Sequence, residues 1–144
     1  MESCPVCAGC GQVEADYDYQ LFVYTVQPPP VATGGGFVLG TFQIDTDADF
    51  KLYQIVATST LPGGTAGTFK ILMTEPGKGS RNWMSAPIDS RNFAGSAQLP
   101  AYLYIPYLMK RQQLYSFTFT DTSGTAGNSI ELDFVGYKLW PKSS

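Results

Sequence analysis

The chain has no histidine, and beyond residue 10 it has no cysteine. Histidine is the side chain best suited to proton transfer at neutral pH and the commonest metal ligand, so its absence leaves enzymatic chemistry little to work with. Basic residues are also few: 9 Lys and Arg stand against 12 Asp and Glu, a net charge of −3. That balance speaks against a phosphate-neutralising, nucleic-acid-binding surface, and the adjacent pair Lys110 and Arg111 reads as a solvated turn. No apolar run reaches the roughly 18 residues that suggest a membrane span. The start, Met1 to Pro5, carries neither a basic segment nor the apolar core of a secretory leader, so synthesis in the cytosol is expected. Helices are excluded in their turn. No window of about twelve residues keeps a 3.6-residue apolar period free of Gly or Pro.

The three cysteines are crowded together as Cys4, Cys7 and Cys10 in CPVCAGC. CxxC is the spacing that lets two thiolates reach one ion, yet a structural zinc site wants four ligands and no further Cys or His is present. A complete site would need a carboxylate such as Glu2 or Glu14, a water, or thiols from another copy of the chain. Three readings stay open: a tail whose thiols do nothing specific, a zinc or iron–sulfur site, and disulfides within or between chains. Copies meeting at a symmetry axis would make the motif a device of assembly.

Nine Tyr, nine Phe and two Trp, with fifteen Gly and ten Pro, are a β-protein's mixture. At 144 residues the chain suits a single domain. Residues 1–16 read as a cysteine-containing extension and residues 17–144 as an antiparallel β-sandwich of jelly-roll type with about eight strands. Tyr17 to Val26 is the first strand, and PPPVATGGG ends it, since proline cannot donate to a ladder. Strands follow around Val38 to Ile44, Phe50 to Thr58 and Thr68 to Thr74. Asp89 to Leu99 reads as a loop with one helical turn, and Ala101 to Ile105 as a short strand bounded by Pro100 and Pro106. The clearest alternation is Tyr115, Phe117 and Phe119 against Ser116, Thr118 and Thr120. The same period in Ile130, Leu132 and Phe134 suggests a neighbouring strand, paired through the turn DTSGTAGN.

Asp45, Asp47 and Asp49 open like a calcium loop but fail at its sixth position, Phe50, and at its twelfth, Val56. They read as a solvated strand end. No pair among the acids is marked for glycoside hydrolysis. Trp83, Trp140 and exposed tyrosines could offer a stacking platform for sugar rings, although core packing is the ordinary use of aromatics in so small a chain.

Across residues 40–140 the chain resembles small structural proteins of tailed-bacteriophage virions. The stretches that carry the likeness are GTFQIDTDADFKLYQIVATS, FKILMTEPGKGSRNWMSAPIDSRNFAG, LPAYLYIPYLMKRQQLYSFTFTDTSG and NSIELDFVGYKLW. The resemblance implies a non-enzymatic part of a particle, assembled in the host cytoplasm and located in the virion: a capsid decoration or cement protein, or a neck or tail-attachment component. Its implied partners are copies of itself, as a trimer or higher oligomer, and other virion proteins, with neither nucleic acid nor membrane. A carbohydrate- or receptor-binding sandwich is the alternative. The cysteine-rich start departs from that layout and suits a chain that locks a multimer.

Overall fold

The computed structural model describes residues 17–75, 81–96 and 101–141. Nine strands form in chain order: β1 (Tyr17–Val26), β2 (Phe37–Gln43), β3 (Asp49–Thr60), β4 (Phe69–Glu75), β5 (Arg81–Asn82), β6 (Ile88–Asp89), β7 (Ala101–Met109), β8 (Leu114–Asp121) and β9 (Ser129–Pro141). A single 3-10 turn, Ser90–Asn92, is the only helical element among the described residues, and the Asp89 carboxylate caps it by accepting from the Arg91 amide.

The strands make two antiparallel sheets that face one another as a β-sandwich. The first runs β1-β9-β3-β7, and the second runs β2-β8-β4-β5 with β6 also paired to β4. Period-two alternation explains the packing. Tyr115, Phe117 and Phe119 of β8 point inward with Phe69, Ile71 and Met73 of β4, each 2% exposed or less. Across the interface lie Phe50, Leu52, Ile130, Leu132 and Phe134, each 1% exposed or less. Rings join the two layers: Phe42 of the second sheet lies 4.9 Å from Phe134 and 5.4 Å from Tyr24, both of the first.

One expected pairing is corrected. The inward rows of β8 and β9 do meet, but as opposite layers of the core. Phe117 and Phe134, 5.6 Å apart, touch across the sandwich, while β8 pairs with β2 and β4, and β9 with β1 and β3. DTSGTAGN therefore carries the chain from one sheet to the other. A second correction concerns Pro106, which does not end a strand: β7 continues through it to Met109. The sheet tolerates this because β7 is an edge and its register with β3 breaks between Leu52 and Gln54.

The same irregularity gives Gly136 its purpose. Opposite the bulge, a Cβ at Gly136 would lie 2.1 Å from the Lys51 carbonyl oxygen, so only glycine lets β9 and β3 approach here.

Candidate interaction surface

The central strands of both sheets end their inward rows on a charge. In β8 the row closes with Asp121, which is 2% exposed. Its carboxylate accepts from the amides of Gly35, Ser123 and Gly124, from the Ser123 hydroxyl and from the Asn128 side chain. Burial alone would push its pKa up, but these donors outweigh that and hold it far below the ordinary aspartate value. Asn128 passes the connection on, donating to the Thr68 carbonyl and accepting from the Ser59 hydroxyl. Three loops are thus fastened at one end of the sandwich.

At the other end, the inward row of β9 reaches Lys138, 7% exposed. Its ammonium donates to Asp45 at 2.8 Å and to Asp47 at 3.3 Å, and lies 4.4 Å from the centre of the Phe22 ring. Desolvation opposes the charge, yet the two carboxylates win and raise the lysine pKa. Asp47 feels the same pair from the acid side: desolvation works against it, but hydrogen bonds from Lys138 and Trp140 hold its pKa down.

The acidic segment is thus more than a solvated strand end. Asp45 and Asp47 clamp Lys138, and Asp49 accepts from the amide and guanidinium of Arg111 at 2.9 and 3.3 Å. Among the described residues no group of three or more acids, cysteines or histidines could hold a metal ion. Cys4, Cys7 and Cys10, with Glu2 and Glu14, lie outside the described residues. The tryptophans do not make a flat platform. Trp83 stands edge-on to Tyr107 at 4.9 Å within a half-buried aromatic group, and Trp140 donates its indole N–H to Asp47.

Exposed apolar residues concentrate elsewhere. On the outer face of the first sheet, β1 presents Tyr19, Leu21 and Val23, exposed by 58, 60 and 45%. In register beside Leu21 and Val23 stand Tyr137 and Val135 of β9, and then β3 and the exposed Leu108 and Tyr102 of β7. Tyr137 bridges strands, edge-to-face with Tyr19 at 5.6 Å and with Tyr53 at 5.5 Å. Lys51 sits over the Tyr53 ring at 5.7 Å. Two acids, Glu131 and Asp133, mark the far end of β9 on this face, and the proximity of Asp133 raises the Glu131 pKa. The second sheet shows Ser116, Thr118 and Thr120 on the outside of its central strand, with Phe37 and Leu39 of its edge strand β2, exposed by 65 and 63%, in register beside Thr120 and Thr118. A cleft of about 700 Å³ beside β3, between Gly64–Gly67 and Ser90–Ser96, is lined by small apolar and hydroxyl side chains together with Phe69 and Arg91. The guanidinium of Arg91 is already held by Asp89 at 2.8 Å, which lowers the Asp89 pKa to about 2.

No single residue predicted this surface. Tyr19, Leu21 and Val23 were visible only as half of an alternating strand, and alternation does not say which half meets solvent. No family model matches the chain, and no curated protein aligns with it. Among the described residues no helix is long and apolar enough to cross a membrane.

Proposed function

We propose that this chain is a non-enzymatic structural component of a bacteriophage virion, a capsid decoration or cement protein or a neck component. It acts by associating with itself, as a trimer or higher oligomer, and by binding other virion proteins. The observation that carries the reading is the strand order, 1-9-3-7 over 2-8-4 with strands 5 and 6 beside 4. We take this as a jelly roll, an architecture used by viral capsid domains, although fold alone does not dictate function. Supporting it, the buried charges Asp121 and Lys138 are consumed in fastening loops, which leaves them no evident catalytic duty.

Light scattering coupled to size-exclusion chromatography tests the reading. The expected result is a defined oligomer, and an antibody against the chain should label intact phage particles. Replacing Cys4, Cys7 and Cys10 together by Ser should keep the β-rich circular dichroism and reduce the oligomer's mass or its retention on the particle. Metal analysis and non-reducing electrophoresis of the parent would then separate zinc or iron from interchain disulfides. A monomer that binds defined glycans and labels no particle would replace the assembly reading with the carbohydrate-binding one. The edge-to-face tyrosines on the first sheet favour protein packing over sugar stacking, which uses an open ring face.

A further inference from the structure

We infer that the outer face of the first sheet is a two-fold contact with a second copy of this chain, centred where Val23 and Val135 lie side by side. The inference rests on the assembly reading and names the surface that serves it.

Two observations select a second copy as the occupant. First, the face presents tyrosines and aliphatics over neighbouring strands, as protein interfaces do, with its charges one and two pleats from the centre. Second, its charges are self-complementary. Lys51 is in register with Tyr137, one pleat to one side of Val135, whereas Asp133 and Glu131 lie one and two pleats to the other side. A two-fold axis lying in the face and crossing the strands near Val135 reverses the strand direction of the second copy. That sets Lys51 of each copy against the acidic end of the other, and sets Val23 against Val23. The acids crowd one another within a single chain, so a facing ammonium relieves a repulsion already present. An isologous contact of this kind joins copies in pairs. A trimer or larger assembly then uses a second, different surface.

The test uses the full chain. Val23→Asp places two carboxylates face to face on the axis and should weaken association about 100-fold, as loss of a central contact does. Lys51→Glu alone should weaken it about 10-fold, and adding Asp133→Lys should restore it, because each copy then offers the reversed pair. With Cys4, Cys7 and Cys10 replaced by Ser, Val23→Cys should join copies through a short bis-maleimide, and Thr118→Cys on the other sheet should not. Val23 is exposed on an edge strand, so thermal unfolding should confirm that each variant stays folded. An oligomer indifferent to Val23→Asp and to the charge reversal overturns this contact and leaves self-association standing. A parent chain that remains monomeric at about 100 µM overturns both.

Discussion

Strand β8, inside the second sheet, and strand β9, inside the first, alternate in the same way and turn equivalent rows inward, yet they show solvent different residues. The outer row of β8 starts at Leu114 and continues as Ser116, Thr118 and Thr120, hydroxyls that water satisfies, while the exposed apolar residues beside them, Phe37 and Leu39, sit on the edge strand β2. The middle of β9 shows Val135 and Tyr137, flanked by Tyr19, Leu21 and Val23 of β1. The inner rows record the fold, since any sandwich must bury two such faces. The outer rows record what each sheet meets afterwards. Hydroxyls suit water, whereas a tyrosine-rich apolar face gains by being covered.

The largest effects should come from the part the sheets share. Phe119→Ala in the second sheet and Phe134→Ala in the first, both 0% exposed, should each destabilise by about 3–5 kcal/mol in urea unfolding. Similar losses mean one core built equally from both layers. A loss below about 1 kcal/mol for either would place that row outside the core and undo the comparison at its base.

The charges that close the inner rows should separate the two sheets more finely. Asp121→Asn keeps the shape but turns an amide N–H toward donors that served a carboxylate, at a cost of about 1–3 kcal/mol. The folded pKa of Asp121 is depressed, so its contribution is full above the ordinary aspartate value of 3.8 and is lost as pH falls toward the folded one. The gap between parent and variant should therefore be widest near neutrality and narrow in acid. Lys138→Met should cost only about 1 kcal/mol, because the carboxylates of Asp45 and Asp47 are half-exposed and water takes over from the ammonium. Its sign is opposite. A raised lysine pKa gives stability that is present below the ordinary value of 10.5 and fades as pH climbs through the folded one. Unfolding titrations at both ends of the scale would read the two slopes, and equal, parallel slopes would contradict the assignment.

Much of the fold was legible in the residues, because alternation is a local property. The first strand and the inward rows of β4 and β8 follow from period and punctuation, and the 3-10 turn Ser90–Asn92 falls in the segment that reads as a loop with one helical turn. Pairing was not legible in the same way. The inward rows of β8 and β9 announce two apolar faces, but nothing local says whether they lie side by side or opposite, and the hairpin suggested by DTSGTAGN is instead a crossing between sheets. The Lys138 clamp was hidden for a related reason. Its lysine stands 93 and 91 positions from its two aspartates, and only the topology brings them together. Pro106 misled because its penalty vanishes on an edge strand, and edges are known only once the sheet is assembled. The apolar outer face needed that same assembly before its half-rows, each unremarkable alone, became one surface.

The smallest expected effect bears most directly on the exteriors. In the Val23→Asp background, where the proposed contact is disabled, Tyr137→Ser removes a ring that touches Tyr19 and Tyr53 and should cost about 1 kcal/mol of unfolding free energy. Thr118→Val, in the equivalent central position of the second sheet, should move stability by no more than about 0.5 kcal/mol, as surface changes usually do. In the parent background the two should diverge further, because Tyr137→Ser would also remove area from an interface and Thr118→Val would not. Measuring both substitutions in both backgrounds separates packing within a sheet from packing between copies. If Tyr137→Ser costs the same with and without Val23→Asp, its ring serves its own sheet alone, and the difference between the exteriors needs another explanation than a second copy.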